Sequence, residues 1–531
     1  MAFAHDEAGE LAQVYTAGWQ ARFERDAQGL EVGRTLSSGV QASWQRDQLG
    51  RPVTQQITTR ATGQRRRRHY RWQGPDQLAE LTDSATGLTR FAHDSHGALS
   101  ATRYADGSEE LRLPDAVGNL FQTRDQQDRT YGAAGQLQRS GGTRYRYDEL
   151  GNLIRKETAD GQKWCYHWNG AGQLTQVTRP DGYAVTFTYD ALGRRLSKRF
   201  RGRVTRWVWD GNKPLHEWSE LEVAAGAAGV SDLATWLFED DSFAPLAKLT
   251  RQGAYSVVYD HLGTPLELYD QAGIQTWQAQ LDSYGAVRQG RGKPQDCPFR
   301  YQGQYEDTET GLYYNRFRYY DPAVGTYISQ DPIGLEGGTA LYAYVPDPLQ
   351  KVDVFGLSAG CGVAKPRNPW NLFQRETKGQ FATRAQRRAE YRHIRTGSPW
   401  PRGYRPVLED IKVGERVNIA MGPKQLVEQP GSFATKAKIP NVEFVRDKLA
   451  VKHAFKPEVG YVQEYEVIKS VPVMRGPIGP QLDTDLGRVL KGGPDQIEFK
   501  FPDIRDANGK IVKYVDRMDY LKPIGDPVKI N

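Results

Sequence analysis

The chain is 531 residues long, more than one hydrophobic core serves, so two or more folded units are expected. Its 38% hydrophobic content, 55 Gly and 12 Trp describe a turn-rich chain whose apolar surface is largely aromatic. Its longest apolar runs fall far short of the ~20 residues that span a bilayer, and no signal-peptide pattern opens it. The net charge of +7 is unevenly divided: residues 358–531 hold 31 Lys and Arg against 20 Asp and Glu, leaving 40 against 44 in residues 1–357. A mildly acidic body thus precedes a basic tail, and opposite signs favour their association, although charge alone does not establish a nucleic-acid partner. Three widely spaced cysteines, Cys165, Cys297 and Cys361, cannot form a disulfide framework or a CxxC metal site, and no metal is predicted.

The first elements are copies of one unit. Asp6-x-x-Gly9, Asp26-x-x-Gly29 and Asp47-x-x-Gly50 are spaced by intervals of 20 and 21, and the unit returns at Asp94/Gly97, Asp115/Gly118, Asp148/Gly151, Asn169/Gly172 and Asp190/Gly193. The fullest copies read YRYDELGNLIRKETADG and FTYDALGRRLSKRF. Aspartate at the turn start accepts backbone amides ahead of it, and glycine supplies the positive φ that the turn requires. Each copy is therefore read as a β-hairpin-like unit with Tyr, Phe and Trp packing between neighbours, too small to be stable unless the copies stack into a curved sheet. RRRRH at 65–69 lies inside this array and is read as a solvated strand face or turn rather than a nucleic-acid patch.

These copies resemble YD repeats. The stretch from about 299 to 357, which opens with FRYQGQYEDTETGLYYNRFRYYDPAVGTYISQDPIGLEGGTALYAYVPDP, is similar to the core signature of rearrangement-hotspot (Rhs) proteins. The resemblance implies a hollow β-cocoon around a polymorphic C-terminal toxin. The fold class expected is mainly β, an antiparallel YD-repeat shell followed by a small α+β toxin domain. The repeats are too few to close a cocoon, so a partial one is expected, from a truncated cassette or completed by a second chain or further N-terminal sequence. The divisions expected are a repeat shell at 1–298, the core signature at 299–357 and an effector at 358–531.

In Rhs proteins the core ends in P-x-x-x-x-D-P-x-G-L and cuts itself after the leucine. Pro348, Asp353, Gly356 and Leu357 occupy those positions here, with Val354 in place of the second proline, which frees φ and restores an amide N–H. The chemistry implied is of aspartyl-protease type, one carboxyl protonated while an ionised partner activates water. Asp331, in QDPIGL, is the expected partner of Asp353, with Asp347 a weaker candidate and Ser358 the new N-terminus. Turn capping alone would equally account for these aspartates.

The tail opens with a loop and a helix expected near 381–395, then short β-like segments in RVNIA, EFVRDKLAV, GYVQEYEVIKSVPV and QIEFKF. Its histidines, His393 and His453, lie outside any HNH-like setting, and Cys361 stands alone. Metal-nuclease and papain-like chemistries therefore lose ground. GSFATKAKIPNVEFVRDKL, YEVIKSVPVMRGPIGPQ and KGGPDQIEF together resemble the tuberculosis necrotizing toxin (TNT) family of NAD(P)+ glycohydrolases. That resemblance places Arg446 at the phosphates of NAD(P)+, the substrate, and Gln496 beside the scissile N-glycosidic bond. Arginine's planar fork suits pyrophosphate, and neutral nicotinamide leaves an oxocarbenium-like centre with little acid catalysis. The family's arginine before this segment is missing at NIAMG, with Arg416 nearby. Alternatives are an ADP-ribosyltransferase using Glu464, Glu466 or Glu498, a nuclease effector on nucleic acid suited to the basic charge, or a tail that only binds a partner. The Rhs resemblance further implies an effector made in the cytoplasm and secreted into a target cell, often by type VI secretion. The partners it implies are a VgrG/PAAR-type secretion spike, a chaperone and a cognate immunity protein.

Overall fold

The structure, a computed structural model, describes residues 2–5, 11–16, 18–26, 29–74, 76–222, 231–239, 242–357, 373, 377, 380, 384–395, 399–423, 425–452, 456, 459–483, 488–502, 504–505, 511–513 and 515–530. It divides into two compact units, Met1–Asp6 with Glu10–Lys365 and Glu7–Gly9 with Pro366–Asn531.

The first unit is antiparallel β throughout. Eleven strands from Ala2–His5 to Glu109–Leu111 form one sheet and sixteen from Arg129–Tyr131 to Val287–Arg291 form another, each strand beside its sequence neighbours. The D-x-x-G turns set this order. Asp190 Oδ1 accepts from the Leu192 and Arg194 amides at 2.9 and 2.8 Å, while Gly193 sits at φ +75°. The turn leaves one extra residue on its strand, and the pairing register shifts beside it at Thr188/Tyr189, as it does at Arg146/Tyr147 and His167/Trp168. The aromatic residue before each turn fastens one repeat to the previous one. Trp168 Nε1, Tyr189 Oη and Trp209 Nε1 donate to the carbonyls of Leu153, Leu174 and Arg195 at 2.8, 2.6 and 2.7 Å.

The two sheets bury their faces against each other. Val14, Trp19, Leu36, Val40 and Ile57 of the first share one core with Leu237, Leu246, Ala247 and Val258 of the second. RRRRH departs from its sequence reading at alternate positions. In the strand Arg65–Gln73, Arg65 and Arg67 are exposed, but Arg66 and Arg68 turn inward. Arg68 pairs with Asp83 at 2.7 Å and Glu267 at 3.1 Å, and Arg66 reaches the same two carboxylates. Glu267 is fully buried, so these arginines neutralise acid inside the core rather than meet solvent. The core signature belongs to this unit. Its sheet of Tyr305–Asp307, Leu312–Asn315, Arg318–Asp321 and Thr326–Tyr327 buries Tyr313, Tyr320 and Tyr327 beside Tyr301 and Tyr344.

The second unit is α+β. Val407–Asp410, Pro472–Pro477, Asp495–Phe499 and Phe433–Ala434 form a four-stranded sheet, and Arg416–Met421, Tyr461–Val467 and Leu521–Lys529 a three-stranded one. Residues of both, among them Val417, Tyr465, Val473 and Ile497, share one core. The expected helix runs over Arg384–Arg395. EFVRDKLAV is helical rather than β: Phe444–Lys448 form a single π-type turn that Asn441 Oδ1 caps by accepting from the Phe444 amide at 2.8 Å. Val442, Val445 and Leu449 recur at helical spacing and turn toward one core, which strand alternation could not do. Cys361, His453 and residues 358–372 lie outside the described residues.

Candidate functional site

The strand Arg318–Asp321 brings a buried guanidinium between two carboxylates far apart in sequence. Arg318 Nη2 lies 3.0 Å from Asp331 Oδ2 and 3.2 Å from Asp353 Oδ2, all three side chains being buried. The same arginine holds the chain near Leu357, its Nε donating to the Gly356 carbonyl at 2.5 Å and its Nη1 to that of Leu341 at 3.0 Å. Asp353 is heavily satisfied. Its Oδ1 accepts from the amides of Gly356 and Leu357 at 2.9 and 3.1 Å, and its Oδ2 accepts from Tyr327 Oη at 2.9 Å. Asn315 Nδ2 braces the group, reaching Tyr327 Oη at 2.7 Å and the Asp353 carbonyl at 2.8 Å.

Asp331 is more open. Its Oδ1 accepts from the Ile333 amide at 3.0 Å, while Oδ2 faces Arg318 without a hydrogen bond among the described residues. A methyl group on Gly337 would collide with Asp331 Oδ2 and would meet the Leu357 carbonyl oxygen at 2.9 Å, so both oxygens lie against one glycine. Burial pushes the Asp331 carboxyl above its usual range against the Arg318 charge, with Asp353 adding to the rise. Burial and the Asp353 carboxylate push the Tyr327 hydroxyl well up, which keeps it a proton donor.

The structure therefore brings Asp331, Asp353, Gly356 and Leu357 together, and Ser358 lies outside the described residues. Gly356 needs its small size as well as its φ of +67°, because a Cβ there would meet the Asn315 carbonyl at 2.6 Å. Asp347 is elsewhere employed, paired with His93 Nε2 at 3.0 Å and accepting from the Leu349 amide at 2.9 Å; Pro348 is buried in that turn. Val354 leaves the contacts of Asp353 in place and packs its carbonyl against Gly303, where a Cβ would collide with it. Arg318, Tyr327 and Asn315 escaped the sequence reading. All three stand in strands that read as Tyr-rich packing, and only the inward register of Arg318 beside Tyr320 marks it as buried.

In the second unit, Gln496 and Arg446 are both buried. Arg446 sits on the helical turn, its Nη1 donating to the Val451 carbonyl at 3.2 Å. Gln496 lies on Asp495–Phe499 opposite Gly476, and its Nε2 has no hydrogen-bond partner among the described residues. The KGGPDQ turn is tied to the turn of Arg446, since the Gly492 amide donates to the Asp447 carbonyl at 2.8 Å. Burial and the Arg446 charge together hold the Lys456 ammonium below its usual range. Arg416 is exposed and faces Glu464 at 3.7 Å, and Glu498 pairs with Lys500. Among the described residues there is no cluster of three metal-ligating side chains and no helix long and apolar enough to cross a membrane.

The chain resembles known proteins over much of its length. The Teneurin YD-shell family model matches residues 38–337. Over 408 residues the chain is 34% identical to Double-stranded DNA deaminase toxin A of Burkholderia cenocepacia, a match covering 68% of this chain and 28% of that protein. It is 30% identical over 398 residues to the Probable deoxyribonuclease RhsB of Dickeya dadantii, covering 70% of this chain and 27% of the relative. The chain thus spans less than a third of the length of these two relatives. Among solved structures, a Tc holotoxin pore of Photorhabdus luminescens matches 67% of this chain and 20% of its own at 16% identity, with a TM-score of 0.48. With D-x-x-G turns, aromatic staples and consecutive antiparallel order throughout the matched region, the chain belongs to the Teneurin YD-shell family.

Proposed function

We propose that this chain is the shell and effector portion of an Rhs-type polymorphic toxin. It cuts itself after Leu357 and so frees a C-terminal effector that hydrolyses NAD(P)+. One observation carries the cleavage half: the Asp331 carboxylate and the Leu357 carbonyl oxygen lie against the same glycine, under an arginine that also holds Asp353. Buried like charges of this kind divide into a proton carrier and an ionised partner. Purified chain analysed by mass spectrometry should yield a fragment beginning at Ser358, and a chain that stays intact counts against the reading.

The effector half rests on less. Gln496 offers a buried amide Nε2 with an unspent donor, able to orient a ribose hydroxyl or water without ionising. Arg446, on the turn tied to the KGGPDQ turn through the Gly492 amide, is the cation this reading sets against the pyrophosphate. Release of nicotinamide from NAD+, lost in Gln496→Ala, tests this directly. Nucleic acid is the second candidate substrate, favoured by the names of the two relatives and by the basic tail. Untouched NAD+ with degraded or deaminated nucleic acid would select it. ADP-ribosyl transfer is less favoured, because two of its three candidate glutamates, Glu464 and Glu498, pair with Arg416 and Lys500, while Glu466 has no such pairing to count against it. On this reading the effector is delivered into a target cell by a secretion spike, and a cognate immunity protein with an acidic surface protects the producer.

A further inference from the structure

We propose that the outward face of the hairpin formed by Thr143–Tyr147 and Leu153–Glu157 is a docking surface for an anionic lipid bilayer, with arginines against the lipid phosphates and Leu150 and Ile154 entering the interface. The proposal concerns the first unit alone and is independent of the cut and of the effector's substrate. The pairing register collects the charge. Arg139 lies directly opposite Arg144, and Arg146 directly opposite Arg155. Arg144 and Arg146 are two residues apart on one strand, so all four share a face, about 5 Å apart across the strands and about 7 Å apart along them. Leu137, Tyr145 and Leu153 take the other face and are buried in a core shared with Leu312, Tyr314 and Ile328 of the core signature. The arginine face therefore points to solvent: Arg139, Arg144 and Arg146 are exposed and Arg155 partly so.

Acid is short on this face. Glu157, opposite Arg144 and Lys163, pairs with Arg155 at 3.3 Å, while Arg139, Arg144 and Arg146 have no ion pair among the described residues. Other exposed arginines of the two sheets are met by acid. Arg71 and Arg90 both pair with Glu80, at 2.9 and 3.3 Å, Arg206 with Glu220 at 2.6 Å and Arg199 with Glu222 at 3.1 Å. Like charges directly opposite destabilise a sheet, so the cluster calls for a partner that brings negative charge. The apolar residues choose among such partners. Leu150, in the turn that joins the two strands, is 72% exposed, and Ile154, the extra residue at the register shift beside Arg155, is 39% exposed. The hairpin of Ala184–Tyr189 and Arg195–Phe200 repeats the pattern with Leu192 and Leu196, both exposed. Leucine and isoleucine gain little beside a phosphate backbone in water, but they gain burial at the boundary of headgroup and acyl chain, and firm attachment there takes an apolar and a basic signal together.

The test is co-sedimentation of the full chain with vesicles of phosphatidylcholine, alone or with about a third phosphatidylglycerol, at about 0.15 M salt. The panel is wild type, the triple variant Arg139→Gln/Arg144→Gln/Arg146→Gln and the double variant Leu150→Asn/Ile154→Thr, each with a melting curve. The basic second unit adds a background common to all three, so the differences between variants carry the result. Wild type should sediment with the anionic vesicles and stay behind with the neutral ones. The triple variant should lose about 100-fold in partitioning, about fivefold for each arginine. It should melt no lower than wild type, because the opposed charges are gone. The double variant should lose about tenfold. If the triple variant fails to fold, Arg146→Gln alone decides, with a loss of about fivefold expected. Arginine variants that partition as wild type does overturn the proposal, as does wild type that binds both vesicles equally or neither. Vesicle binding unchanged in the double variant, with single-stranded DNA held by wild type and released by the arginine variant, would overturn it in favour of a nucleic acid.

Discussion

The core signature and the second unit satisfy their buried polar groups to different degrees. Around Arg318 most donors and acceptors are consumed, and among the described residues Asp331 Oδ2, ion-paired with Arg318 at 3.0 Å, and Asn315 Oδ1 are left without a hydrogen bond. In the second unit, Gln496 keeps a donor without a partner among the described residues, on a strand paired to Pro472–Pro477. A saturated group holds geometry, whereas an open one has capacity left for a substrate or water. The difference assigns rigidity to Asp353 and Tyr327, and spare capacity to Asp331 and Gln496.

The largest expected break in this comparison comes from Arg318→Met. Removing the guanidinium strands two buried carboxylates, which should cost the first unit about 3–5 kcal/mol and abolish the cut. Calorimetry should show the first unit's transition falling while the second unit's is unmoved. Gln496→Ala should do the reverse. Nicotinamide release should drop by at least about 100-fold, while the fall in melting temperature is confined to lost packing, because the deleted Nε2 had no hydrogen-bond partner among the described residues.

The pH response sharpens the contrast. Burial, reinforced by Glu110, raises the Asp282 carboxyl of the first unit to about 6. The folded state then binds more protons than the unfolded one between about pH 4 and about pH 6, so this contribution is full below that window and lost as pH rises through it. In the second unit, Lys436 and Arg475 outweigh the burial of Glu415 and hold it at about 2. Its contribution is present above the ordinary glutamate range of about 4.3 and is lost as pH falls toward 2. Acidifying from pH 6 to pH 4 should therefore raise the first transition, and further acidification should lower the second. A common pH profile for both would contradict this pairing. The smallest effect is at a repeat turn: Gly193→Ala forces an L side chain to φ +75° and should cost about 1 kcal/mol, read from a denaturant midpoint.

What the sequence disclosed depended on the range of the interactions. Asp190 and Gly193 act within four residues, so the turn, the strand order and the repeat were legible from spacing. Asp331 and Asp353 were legible because both belong to one contiguous signature. Arg66 and Arg68 were misread as solvated, because Glu267, one of the carboxylates that bury them, lies 201 residues from Arg66. Arg318 was invisible for the same reason, its meaning resting on a turn 35 residues downstream. The helical turn of Arg446 was legible in principle through Val442, Val445 and Leu449, yet the mixed apolar run also fits a strand, and packing decided between them.

The central claim is that this chain severs its own backbone at one bond. Intact-mass measurement with N-terminal sequencing of freshly purified wild-type protein tests it most directly. The account predicts two species, one ending at Leu357 and one beginning at Ser358, that accumulate in wild type and are absent from Asp331→Asn. An uncut wild-type chain, or a cut at another bond that persists in Asp331→Asn, would contradict it.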